Sequence, residues 1–259
     1  MGIDFQSFIL IFTRVVSMLF GIPIIGARNV PKGFRIGLAF FTSMILMNIV
    51  RVDTSGLSTD LLSLGMAIGG ECLIGFTIGL MAKLVFTAVE MAGELMGFQM
   101  GFAIVNVIDP QTSSQVPIIG QFQTILATLI FLSINAHHQF LTALAGSFEL
   151  VPPLHVTLSG ELINKMARLT GDMFILAFKI GAPVIVALFI TNMAMSIIAK
   201  TIPQINILIV GFPLTIAGGL LVMSLSLPLF VYMMQRVFER MGGDMMGVLT
   251  TMGRKIRDG

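Results

Sequence analysis

Side chains able to do chemistry are scarce in this sequence. Its 259 residues include three His, thirteen Asp or Glu, fifteen Lys or Arg and one Cys. His137 and His138 are adjacent, so on a helix they point about 100° apart and cannot close on one metal ion. His155 follows Pro152 and Pro153 in a loop, and all three histidines read as polar residues at helix ends or interfaces. No H-E-x-x-H, G-x-S-x-G, Walker or dinucleotide pattern occurs, so no catalytic residue, metal or cofactor is expected and the chain reads as no enzyme. Cys72 alone builds no intramolecular disulfide. A net charge of +2, with no basic stripe interleaved with aromatics, gives nucleic acid nothing to bind.

The most informative charges lie in the long apolar run ending at Gly101. At helical spacing Gly75, Gly79, Lys83, Glu90, Gly93, Glu94, Gly97 and Gly101 fall within about 100° of one another. Lipid cannot take such a face, because a charge at the bilayer centre costs several kcal/mol and glycine offers lipid no contact. It meets other protein or water: an internal helix contact with Lys83 paired to an acid, a subunit interface, or a water-filled path. Met91, Met96 and Met100 nearby serve as gap fillers or as a deformable seal around a passing chain.

Two further stretches break the apolar pattern. Gly101 to Pro117 carries one charge, Asp109; Asp109-Pro110 initiates a turn, and Thr112, Ser113, Ser114 and Gln115 can satisfy loop backbone. Irregular backbone at such depth is tolerated where it is buried in protein or lines a cavity, although a surface connection also fits. Pro203, Gly211, Pro213, Gly218 and Gly219 then punctuate the last apolar run, which predicts a helix broken or kinked after Lys200, as in transport proteins.

The elements that must position these residues follow from composition. Apolar residues make up 56% and charged ones 11%, with a mean hydropathy of +0.97, and no charge falls in Pro110–Phe148, Ile180–Ala199 or Thr201–Gln235. Each stretch can span about 30 Å of hydrocarbon as a helix, so an all-α, polytopic, membrane-type protein of kinked helix hairpins is expected. Helices are predicted near Phe5–Gly26, Gly33–Val50, Leu61–Gly101, Val116–Asn135, Asp172–Lys200 and Ile205–Phe238. Arg28, Lys32 and Arg35 mark the first loop as cytoplasmic, and Arg236, Arg240, Arg254, Lys255 and Arg257 mark the C-terminus so. Six crossings cannot satisfy both; seven can, which favours a turn within Lys83–Glu94 over one long bent helix. Asp4 stands where a signal peptide carries basic residues and Gln6 where myristoylation requires Ser or Thr, so the N-terminal segment is expected to be retained and unmodified. The Gly- and Met-rich tail, residues 239–259, is expected to be mobile.

The runs GELMGFQMGFAIVNVIDPQTSSQVPIIGQF, LIFLSINAHH, SFELVPP and KTIPQINILIVGFPLTIAGGL carry a resemblance over Phe8–Phe238. They resemble the FliR family, the flagellar export-gate subunit related to the T component of virulence type III secretion systems. Ala136 stands where that pattern has Gly before His. The resemblance implies a structural and gating subunit of the export gate that joins FliP and FliQ, with FlhB and FlhA as further partners. It would sit at the bacterial inner membrane, in the flagellar basal body, passing unfolded export substrates. A FliP-like part over 1–153 is followed by a FliQ-like hairpin over 160–238. The segment from about 102 to 117 maps onto the family's plug, with Phe102, Asn106, Asp109, Pro110, Ser113, Gln115 and Pro117. Phe98, Met100 and Phe102 map near the pore-closing ring, and an assembly largely above the membrane plane would explain the topology conflict. Subunit-interface candidates are Gly75, Gly79, Lys83, Glu90, Glu94, Gly97, Gly101, Pro203, Gln204, Asn206, Gly211 and Pro213. From the residues alone, a secondary transporter or ion channel with Lys83, Glu90 and Glu94 as a relay stays open.

Overall fold

The computed structural model describes residues 5–26, 30–50, 52, 61–102, 117–202, 204 and 207–253, which form helices, turns and connections without a strand among them. The helices are α1 (Phe5–Gly21), α2 (Pro23–Gly26), α3 (Lys32–Ile49), α4 (Leu61–Met100), α5 (Ile118–Ser133), α6 (Ala136–Leu150), α7 (Gly160–Thr201) and α8 (Ile207–Gly253). Leu62–Met100, Gly160–Thr201 and Ile209–Gly253 are long and apolar enough to cross a membrane, and α5 with α6, bent by 68°, qualifies as a broken fourth span. Local chemistry sets several boundaries. Pro31 precedes α3 and its carbonyl accepts from the Arg35 amide at 3.3 Å. Ser159 caps α7 by accepting the Leu162 amide at 3.2 Å, and Glu161 in the first turn complements the helix dipole. Asn135 takes the left-handed conformation, φ 56°, between α5 and α6.

Three expectations are corrected. The third segment is one helix of 40 residues with no turn between Lys83 and Glu94, so the seven-crossing count falls. Residues 136–150, left out of the predicted helices, form α6; His137 and His138 interrupt the apolar run, but Phe140, Leu144, Ser147 and Phe148 still bury one face at helical spacing. Residues 239–253 are not a mobile tail: Met241, Met245, Val248, Leu249 and Met252 repeat every three or four residues and are buried along α8. Residues 254–259 lie outside the described residues. The predicted break after Lys200 agrees with the end of α7 at Thr201, whereas Pro213 lies inside α8.

The chain divides into two compact units, one of residues 1–84, 132–170 and 237–259, the other of 85–131 and 171–236. In the second, Phe86, Val89, Ala92, Met96 and Met100 of α4 are buried, and the rings of Phe86 and Phe131 meet edge-on at 5.9 Å. The first is organised around an ion pair. Ser7, Leu10, Ile11, Arg14, Val15 and Met18 share the buried face of α1, so helical periodicity itself carries Arg14 into the interior. There its Nε and Nη2 donate to both carboxylate oxygens of Glu71, the latter at 2.9 Å, Nη1 donates to Ser147 Oγ at 2.8 Å and Nη2 to the Val151 carbonyl at 3.0 Å. The Phe148 ring lies 3.9 Å from the guanidinium carbon. Backbone contact sets the register: a Cβ on Gly75 would strike the Arg14 carbonyl and Ser17 Oγ, and one on Gly79 would come 2.6 Å from the Met18 carbonyl. With α1 and α4 this close and parallel, Glu71, one turn before Gly75, meets Arg14.

Removing one partner of a buried pair strands a charge at about 3–5 kcal/mol, whereas replacing both by apolar groups is often neutral. Glu71→Leu is therefore expected to abolish or strongly lower the folded yield, and Arg14→Met with Glu71→Leu to recover most of it. Folded yield and thermal unfolding of the detergent-purified protein measure both.

Candidate functional site

The second half of α4, the start of α5 and the start of α8 gather most of the expected site residues that the structure describes. Gly93 lies against Gly120 so closely that a Cβ on Gly93 would strike the Gly120 backbone, and a Cβ on Gly120 would come 3.0 Å from the Glu90 carbonyl. Gly97 has more room, with Ile119 side-chain carbons 3.8 Å and 4.0 Å from the place of its Cβ. Only glycine permits two helix backbones to approach in this way. α4 ends in Gly101 at φ 95°, where a Cβ would lie 2.8 Å from the Phe212 ring of α8. The Met100 carbonyl, left without an intrahelical donor, accepts from Thr215 Oγ1 at 3.0 Å, and the Met100 side chain lies on Gly219.

The expected site residues divide by exposure. Gly75, Gly79, Gly93, Gly97 and Met100 are buried within their own units. Lys83, Glu90, Glu94, Gln204 and Pro213 are exposed, while Gly101, Phe102, Pro117 and Gly211 are intermediate. Of the ring candidates, Phe98 is 71% exposed and Met100 fully buried, so the two do not point the same way. The glycines are thus filled by this chain's own helices, and the charges stand at the open edge of the arc predicted from spacing. The pairing of Lys83 with an acid is not found among the described ion pairs, where Arg14 with Glu71 stands. Asn106, Asp109, Pro110, Ser113, Gln115, Pro203 and Asn206 lie outside the described residues.

Two sets of residues escape the sequence reading. Arg14, Glu71 and Ser147 form the buried network; the signal was an Arg and a Glu each alone in an apolar run, which requires a partner. Thr215 and Phe212 receive the end of α4, and no local pattern joins them to Met100. Among the described residues no three His, Cys, Asp or Glu side chains converge to hold a metal ion. The second half of α4 presents an acidic edge, Glu90 and Glu94 four residues apart, with Phe98 one turn on.

The family described as bacterial export proteins, family 1, matches residues 5–241. The chain is 37% identical over 252 residues to the flagellar biosynthetic protein FliR of Bacillus subtilis (strain 168), covering 96% of each. It is 30% identical over 232 residues to that of Escherichia coli (strain K12), covering 87% of this chain and 86% of the relative. The Aquifex aeolicus (strain VF5) protein of the same name is 30% identical over 233 residues, 90% of each.

The glycine contacts predict a contrast. Gly93→Ala puts a methyl group into the Gly120 backbone and is expected to cost about 1–3 kcal/mol, the penalty of overpacking. Gly97→Ala has ordinary van der Waals room and is expected to be neutral or to gain up to about 1 kcal/mol from helix propensity. Thermal unfolding of the two purified variants, side by side, measures the difference.

Proposed function

The chain belongs to the bacterial export proteins, family 1, and from that premise we propose that it is a structural and gating subunit of the flagellar type III protein export gate, like the FliR relatives it resembles. In this reading it helps to form and close the pore through which unfolded flagellar proteins pass, and performs no catalysis itself. It works at the bacterial inner membrane, in the flagellar basal body, with FliP and FliQ as neighbours, FlhB and FlhA beyond them, and its C-terminus in the cytoplasm. Residues 1–153 serve as the FliP-like part and 160–238 as the FliQ-like hairpin.

The observation that carries this reading is the exposure of Glu90 and Glu94 on a helix otherwise apolar enough to cross a membrane. Lipid does not accept carboxylates, and like charges at i,i+4 repel one another. A basic side chain from a neighbouring subunit relieves both costs. Exposed Phe98, one turn further along, supplies an apolar side chain to the closing ring, with Phe102 beside the plug over about 102–117. Met100, buried within its own unit, supports the ring from behind. An apolar constriction of this kind blocks ions by excluding water.

Two measurements test the proposal. Glu90→Leu with Glu94→Leu is expected to reduce assembly with co-expressed FliP and FliQ, seen as loss of the complex by native mass measurement; a variant that assembles and swims like the parent returns the acids to a merely solvated edge. Deleting Asp109 to Gln115 is expected to leave the complex assembled while cells lose membrane potential and grow poorly. Intact complex with unchanged permeability removes the plug role. The single chain in liposomes is expected to be inert, whereas solute or ion flux from it would favour a transporter acting through Lys83, Glu90 and Glu94.

A further inference from the structure

The contact that holds the end of α4 can be satisfied in two ways. Thr215 Oγ1 lies 3.0 Å from the Met100 carbonyl, 115 residues away, and 3.1 Å from the Phe212 carbonyl in its own helix. A hydroxyl has one proton to donate, so it serves one of these carbonyls at a time and keeps the other as a ready acceptor. When the Met100 carbonyl departs, the hydroxyl is not stranded, although Thr215 is buried.

The surrounding side chains allow the same departure. The Met100 side chain is completely buried over Gly219, where a Cβ would come 2.7 Å from its Cγ and Cε. Methionine is unbranched and withdraws from such a seat through rotamer changes without a branched carbon to catch. Gly101, at φ 95°, adopts its conformation without steric cost and can leave it equally freely. The Phe212 ring closes on Gly101, so the ring and the hydroxyl grip the last residue of α4 and the one after it from one turn of α8.

We propose that Thr215 is a positioning residue, and that Met100, Gly101, Phe212, Thr215 and Gly219 form a releasable clasp that fixes the end of α4 in the closed gate. Closed, the clasp sets where Phe98 and Phe102 stand. Opening transfers the Thr215 hydrogen bond to the Phe212 carbonyl and frees the last turn of α4 to move. This rests on the reading that the end of α4 belongs to the gate, and adds which contact holds it and how it lets go.

The test uses the assembled complex in motile cells. Thr215→Val keeps the shape and removes the donor; it is expected to assemble normally and to raise ion permeability about fivefold, the population shift that loss of one neutral hydrogen bond permits. Thr215→Ser restores the donor and is expected to restore the parental value, which a purely space-filling role would not require. In a Cys72→Ser background, Met100→Cys with Gly219→Cys is expected to stop motility under oxidant and to recover it with reductant. If Thr215→Val matches Thr215→Ser in permeability, or the oxidised pair swims normally, the clasp is overturned. The deletion of Asp109 to Gln115, run in parallel, separates the two ideas: a leaking deletion beside a silent Thr215→Val removes the clasp alone. A silent deletion removes the plug role, while the cross-linked pair still reports whether the clasp must open.

Discussion

A guanidinium with no exposed surface constrains its surroundings more than any other group in this chain. Taking Arg14 and Glu71 out of water costs several kcal/mol for each ion before any contact is made. Two nitrogens are met by one carboxylate, another by Ser147 and a remaining direction by the Val151 carbonyl. Ser147 accepts from Arg14 and donates its hydroxyl to the Leu144 carbonyl at 2.6 Å, so each member of the chain polarises the next. α1, α4, α6 and the turn after α6 are therefore fixed around one side chain. Gly75 and Gly79 are consequences of that demand, since anything larger would separate α1 from α4 and pull the carboxylate out of reach.

The interior is apolar as in a water-soluble fold, but so is much of the surface. The deepest polar groups are ion-paired and hydrogen-bonded, while large apolar side chains stand outside: Phe34 and Phe41 on α3, Phe178 and Phe189 on α7, Leu221 and Leu225 on α8. α3 shows the proportion clearly, burying only Ala39, Ser43 and Leu46 along one narrow stripe. Surfaces of this kind require lipid or protein to cover them. The glycines are spent within each unit, and the exposed charges and rings are left for whatever lies beyond.

Much of the all-α architecture is legible in the apolar runs, because a stretch such as 180–199 without a charge has few other ways to satisfy its backbone. Amphipathic helices are harder to read. α6 opens with His137, His138 and Gln139, carries Glu149 on the side of His138, and looks like a connection unless Phe140, Leu144, Ser147 and Phe148 are read at a period near four. The same holds for residues 239–253, where Gly and Met suggest looseness although Met241, Met245 and Met252 fill one buried face. At the candidate site, spacing groups the glycines with the charges of α4 on one arc. Which edge of the arc is buried depends on Gly120 and Ile119, partners that local sequence does not name. The bond from Thr215 to Met100 and the pair of Arg14 with Glu71 span 115 and 57 residues and leave no local trace beyond a polar residue out of place.

The first unit is assembled from three separate stretches of chain, and this gives its completion an order in time. During synthesis from the N-terminus, Arg14 emerges within an apolar helix long before it has a counter-ion. Glu71 supplies the charge, and Ser147 and Val151 the remaining acceptors, only after α5 and most of α6 have left the ribosome. The covering turn comes later still: Gly253 lies on the Leu150 carbonyl, and Thr157 donates its hydroxyl to the Met252 carbonyl at 2.6 Å. Until α8 is made, the 150–157 segment that helps to hold the arginine lacks its lid. The nascent protein must therefore be sheltered twice over, first while Arg14 waits for Glu71 and then, with the ion pair in place, while the segment that caps it waits for the end of α8.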